Sequence, residues 1–246
     1  MKNPAAGGGR WVEVPPERLV SWIVTFTQRH GTSAVSCDDI GVTVTFSAAD
    51  GAVAECHPPF PPLRSGGDDP VAAAEAIVAH AVRDRTVGVL LVRLGGYAVG
   101  VFVGSPPQLV SSKTGSRPVH GRSAAGGWSQ HRFARRRENQ ATTALRAAAD
   151  AAAGIFAPHH LDVLVLGGDK RSIAGLHGDP RLASYLGLAT DRFLTVPDPR
   201  LAVLKEAPRS FLAIRIRLTE PEPEPEAGPG PEPEPEPEPG PGIHSE

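Results

Sequence analysis

The chain has 246 residues, 40% of them hydrophobic, with 25 basic and 27 acidic side chains and a formal net charge of -2. That composition allows one large domain or two small ones and excludes a chain too polar to build a core. The near-neutral average hides a split: nine of the acids are glutamates of the last 28 residues, and without them 18 acids face 25 bases, a formal charge of +7.

Residues 1 to 9 are a Gly/Ala lead-in without the apolar stretch of a signal peptide, and no segment approaches ~18 consecutive apolar residues. Neither export nor a membrane span is expected, and the reading is cytoplasmic. Pro15-Pro16 open a helix in which Leu19, Trp22, Ile23 and Phe26 form one apolar face that should pack on a sheet, ending before Gly31. Val42 to Phe46 alternates with period two and Ala52 to Cys56 follows an Asp50-Gly51 turn, which predicts a hairpin. Cys37 and Cys56 flank it and read as reduced core residues of a cytosolic protein, with no zinc site; Asp38-Asp39 reads as a turn. His57 to Gly67 is a proline-rich linker or long loop, after which Asp69 as N-cap and Pro70 start a second helix through about Val82. Residues 10 to 66 are therefore expected to form a small N-terminal α/β unit and residues 67 to 218 a second domain.

Thr86 to Val92 and Ala98 to Val103, joined across Gly95-Gly96, read as strands, with Gln108 to Ser112 as a third. Gln130 to Ala153 reads as an Ala-rich helix closed by Gly154. Phe133, Ala141, Ala144, Leu145 and Ala148 fall on one face, and Arg132, Arg135, Arg136 and Asn139 on the other; Arg137, near the apolar side, should snorkel or pair with a carboxylate. Leu161 to Leu166 is a strand, Arg181 to Leu186 a short helix, Phe193 to Val196 a strand, Pro199 to Lys205 a helix and Phe211 to Leu218 a final strand. This order implies an α/β (α+β) fold with a mixed sheet flanked by helices. From Thr219 on, Pro-Glu repeats offer too little apolar surface to offset ordering entropy, so residues 219 to 246 are expected to be a disordered tail.

Between the third strand and the long helix, Lys113 to Arg137 carries seven bases (Lys113, Arg117, Arg122, Arg132, Arg135, Arg136, Arg137) and no acid. Such a run is a surface for a polyanion, and arginine forks onto phosphates and stacks on bases. Gly126 and Gly127 let the backbone take positive φ and come close to a substrate, and the helix that follows adds a positive dipole end where a phosphate or oxyanion can sit. Trp128 is either a platform for a base or an anchor for the loop. His120 and His131 flank the loop as RNA contacts, as solvated side chains or, less commonly for such residues, as catalytic groups titrating near neutral pH. Leu166 to Lys170 matches no nucleotide-binding motif and reads as a strand-to-helix turn; His159-His160 has no partnering ligands nearby.

From about Thr86 to Phe156 the sequence resembles the central domain of the eukaryotic and archaeal class I translation release factor, whose Gly-Gly-Gln motif is followed by an Arg-Phe-Ala-Arg-x-Arg helix. The matching residues here are Arg132-Phe133-Ala134-Arg135-Arg136-Arg137, preceded by His120-Gly121-Arg122 and Gly126-Gly127. Two residues separate Gly127 from Gln130, the longer spacing of the VLRF branch, release-factor-like peptidyl-tRNA hydrolases of ribosome-associated quality control. The resemblance implies hydrolysis of the ester between nascent peptide and tRNA, with Gln130, Gly126 and Gly127 at the reaction and Lys113, Arg117, Arg122, Trp128, His131, Arg132, Arg135 and Arg136 on RNA. The implied partners are the large ribosomal subunit and peptidyl-tRNA, met by a monomer that needs no metal or cofactor. Two alternatives stay open: scission of the tRNA near its 3′ end by the same loop, and a non-catalytic RNA- or ribosome-binding module.

Overall fold

The computed structural model describes residues 3–4, 8–63, 69–93, 96–116 and 129–221, with the backbone alone for 3–4 and 129–140. In chain order the first elements are β1 (Asn3–Pro4), β2 (Arg10–Val14), α1 (Pro16–His30), β3 (Ser33–Cys37), β4 (Val44–Ala48), β5 (Val53–His57) and α2 (Pro70–Ala81). There follow β6 (Thr86–Arg93), β7 (Gly96–Val103), β8 (Gln108–Ser116), α3 (Ser129–Phe156), β9 (Val163–Gly168) and α4 (Lys170–Ala174). The last are α5 (Ala183–Leu186), β10 (Ala189–Leu194), α6 (Leu201–Leu212) and β11 (Ile214–Thr219). Two sheets with helices packed on them make an α+β fold.

The first sheet runs β1-β2-β11-β5-β4-β3 with every neighbouring pair antiparallel. The apolar stripe of α1 (Leu19, Ile23, Phe26) and Ala73 and Ile77 of α2 bury against alternate residues of the strands, among them Val14, Phe46, Ile214 and Ile216. Asp69 caps α2 as its sequence predicts, its carboxylate accepting from the N–H groups of Val71 and Ala72 at 3.0 Å each. Both α2 and β11 follow residue 66 in sequence and belong to this layer. Cys56 is buried in its core, which pushes its thiol pKa up. Cys37 is exposed instead of buried: it is the last residue of an edge strand, with a neighbouring strand on one side only.

The second sheet runs β10-β9-β6-β7-β8, mixed, with β6, β9 and β10 parallel and β6, β7 and β8 antiparallel. On one face α3 covers Leu90, Val92, Val99 and Val101 with Ala148, Ala152 and Phe156. On the other, α6 covers Val89, Leu91, Ala98 and Phe102 with Leu204, Ala207 and Phe211. A strand buried on both sides reads as an unbroken apolar run, which is the pattern of Val87 to Val92.

Several elements depart from the sequence-based expectation. The final strand does not extend the mixed sheet but closes the first one, between β2 and β5. Helix α3 continues through Gly154 to Phe156, which is fully buried and packs its ring 5.3 Å from Tyr185. Helix α6 does not stop at Lys205; it passes through Pro208, because Leu204, Ala207 and Phe211 on one face are buried and offset a proline cost of about 3 kcal/mol. The turn at Leu166 to Lys170 leads into α4, with Asp169 capping it through the N–H groups of Arg171 and Ser172. Gly168 there has φ +101°, and a Cβ on it would collide with the Val92 carbonyl, so only glycine fits the turn.

Candidate nucleic-acid interface

The basic stretch begins on β8 of the second sheet and ends in the first turns of α3. Among the described residues β8 pairs only with β7, which makes it an edge strand of the second sheet. Residues directly opposite in an antiparallel pair share a face. Lys113 lies opposite Val99 and Ser111 opposite Val101, and both valines pack beneath α3, so Lys113 stands exposed at the edge on the helix-bearing face. Leu109 opposes Phe102 and packs toward α6 on the other face.

One further contact shapes this edge. Tyr97 of β7 opposes Gly115, and its ring lies across β8 at that glycine: a Cβ on Gly115 would be 2.7 Å from Cε1, Cζ and Oη of Tyr97. The buried ring therefore seats the last residues of β8. The sequence reading passed over this pair; a glycine inside a polar strand opposite an aromatic is the signal that marks it.

Residues 117–128 lie outside the described residues, and with them Arg117, His120, Arg122, Gly126, Gly127 and Trp128. The chain resumes at Ser129, the first residue of α3, so Gln130, His131, Arg132, Arg135 and Arg136 occupy its first turns, where the backbone alone is described. The expected pairing of Arg137 also falls outside the described side chains. At 28 residues α3 is about 42 Å long. Burial along its described part begins at Ala144 and continues through Ala148, Ala149, Ala151, Ala152 and Phe156. Ala141, expected on the packed face, is exposed, since the packed row starts a turn later. The C-terminal half thus anchors the helix under β7 and β8, and the N-terminal half carries the arginines and the positive end of the dipole.

The anchored half carries its own charge pairs. Arg181 reaches Asp150 of α3 and Asp179 at 2.7 Å each, and its guanidinium holds the Asp179 carboxyl below the ordinary carboxylate range. Among the described residues no group of three or more His, Cys, Asp or Glu is placed to hold a metal ion, and no helix is long and apolar enough to cross a membrane.

An exposed strand carrying Lys113 and a helix that begins with arginines flank Gly126-Gly127 in the sequence. The family model described as the actinobacterial and chloroflexi VLRF1 release factor matches residues 85–217, more than half of the chain, and the chain belongs to that family. No curated protein matches. Among solved structures, the chain is similar to the archaeal translation termination factor aRF1 (15% identity, TM-score 0.33, covering 80% of this chain and 62% of that one). It is also similar to a structure titled only as an archaeal protein (14%, 0.32, 80% and 62%). A third is Dom34 of S. cerevisiae, a translation termination-like factor involved in RNA quality control pathways and interacting with Hbs1 (10%, 0.30, 84% and 65%). The chain spans less than two thirds of the length of each.

Proposed function

We propose that this protein is a peptidyl-tRNA hydrolase that frees nascent chains from stalled ribosomes or separated large subunits, using the loop Gly126-Gly127 to Gln130. The observation that carries the reading is the family match itself, whose residues 85–217 take in β8, the basic segment after it and α3. In this scheme Lys113, Arg117 and Arg122 on the strand edge and loop, and Arg132, Arg135 and Arg136 on the helix, bind phosphates of the tRNA acceptor end and the surrounding RNA, with Trp128 and His131 beside them.

Glutamine is no base at neutral pH, so its part is positional. The Gln130 amide oxygen accepts a hydrogen bond from a water, and an amide or backbone N–H of the loop donates to the ester oxygen as negative charge develops. Water adds to the ester carbonyl carbon, the bond from that carbon to the ribose oxygen breaks, and the ribose hydroxyl leaves with a proton. The glycines keep Cβ atoms out of the path by which the backbone reaches the ester. The RNA around the site excludes competing water.

The test is release of labelled peptide from stalled ribosome complexes, with the tRNA 3′ end mapped afterwards. Gln130→Ala should lower release about 10²- to 10³-fold and leave ribosome binding in place, with an intact CCA end on the product tRNA. Undiminished release would refute the assignment. A shortened 3′ end would replace hydrolysis with strand scission by the same loop.

A further inference from the structure

A second cationic surface lies in the first layer, far in sequence from the basic loop. Between β2 and α1 runs an open groove of about 380 Å³, floored by Val12, Trp22, Phe26 and Leu218 and rimmed by Arg10, Arg18, Arg29 and Glu13. Trp22 and Phe26 are stacked, ring centroids 5.7 Å apart and 6° from parallel. One end of the groove already holds an anion of the chain itself: the Glu220 carboxylate is 3.3 Å from Arg10, 3.6 Å from Arg29 and 3.8 Å from Nε2 of His30. Arg18, toward the other end, is exposed and makes no ion pair among the described residues.

Glu220 is the first of the nine glutamates of the C-terminal segment, and Pro221 through Glu226 continue it as strict Pro-Glu alternation before Ala227-Gly228-Pro229-Gly230 interrupts the pattern. We propose that Pro221 to Glu226 fold back along this groove as an internal ligand, with prolines against the partly exposed Trp22, which the buried Phe26 backs, and glutamates on Arg18 and Arg29. Aromatic-lined grooves take proline-rich segments because the extended conformation is largely preformed and loses little entropy on docking. The cationic rim adds the complement for the carboxylates.

The dimensions agree. Arg18 and Arg29 are eleven residues apart on α1, about 17 Å at 1.5 Å per residue. Six residues of polyproline helix span about 19 Å at 3.1 Å each. The interruption at Ala227 thus falls where the groove ends. Because the segment is tethered through Glu220, its effective concentration is on the order of millimolar, and individually weak contacts suffice to hold it.

The test compares the full chain with one truncated after Pro221 by NMR of the tryptophan indole N–H groups at low salt, with Trp22 assigned through Trp22→Phe. Deletion should move the Trp22 resonance more than those of Trp11 and Trp128. Salt at about 0.5 M should carry the full-length position toward the truncated one, and full-length Arg18→Glu/Arg29→Glu should resemble the truncated chain. A synthetic peptide of residues 220 to 226, added at millimolar concentration to the truncated chain, should shift Trp22 back. An unchanged Trp22 resonance on deletion overturns the proposal. So does a Trp22 position that only single-stranded RNA, and not the peptide, can shift in the truncated chain. A deletion that moves only the Trp128 resonance, next to α3 in sequence, would place the acidic segment there and overturn it equally.

Discussion

The ring of Tyr97 lies across the backbone of Gly115, so close that any side chain at that position would have to displace it. It joins the buried core under α3 to the last residues of β8 before the basic loop. Gly115→Ala should therefore push Tyr97 from its seat and cost about 1–3 kcal/mol, the usual range for overpacking. Urea unfolding at constant m-value reads it directly. A midpoint equal to the unaltered protein's would show that the ring gives way freely.

Charge and chemistry separate in the basic stretch. Replacing Arg132, Arg135 and Arg136 by Gln should reduce the slope of log K against log salt for ribosome binding by about 2–3, at roughly 0.7–0.9 per lost phosphate contact. Gly127→Ala leaves every charge in place and should keep that slope while abolishing peptide release. Retained release in Gly127→Ala would remove Gly127 from the reaction, and salt-sensitive binding with no release by the unaltered protein would favour a binding module without catalysis.

Arg192 ties the two layers together. Its guanidinium donates to the carbonyls of Phe211 and Ala213, where α6 turns into β11, and approaches Glu13 of β2 at 3.8 Å. Burial pushes its pKa down to about 10, so the charge is still present at neutral pH. Arg192→Ala strands those carbonyls and should destabilise the fold by about 1–3 kcal/mol. Thermal unfolding should report an earlier loss of the first layer. An unchanged melting curve would mean that water replaces the guanidinium at no cost.

Two histidines of the first layer tie stability to pH. Burial lowers the pKa of His80, whose Nε2–H donates to the Phe60 carbonyl at 2.9 Å, and burial also lowers that of His57. A base with a depressed folded pKa binds fewer protons folded than unfolded. Its contribution is complete above the unfolded value near 6.5 and is lost as pH falls from there through the folded value. Proton NMR should find both rings titrating below 6.5, and urea midpoints should decline on acidification through that range. Midpoints at or above 6.5 would contradict the burial argument.

The helical stripe of α1, the Asp69 cap and the apolar run of β6 were all legible, because each rests on local spacing. What was missed depends on distant pairing or on packing that overrides a local signal. Arg10–Val14 is a five-residue strand whose place is set by β11, some 200 positions away. Gly154 and Pro208 look like helix ends, and only the burial of Phe156 and Phe211 tells the chain to continue. Within the site, the bases and the Gly-Gly pair were visible from composition alone. The Tyr97–Gly115 contact needed the strand register.

The position of β11 bears on how the protein is made. In the first sheet β2 touches β5 only through β11, so until Ile214 to Thr219 is synthesised the N-terminal strand has no partner on that side and the sheet stands in two pieces. Pairings this remote in sequence close large loops and slow folding. A nascent chain halted before residue 214 would carry β2 and β5 as open edges, prone to pair with other chains. Synthesis of this factor thus carries its own late checkpoint: a product cut short anywhere upstream of its last strand cannot complete its first layer.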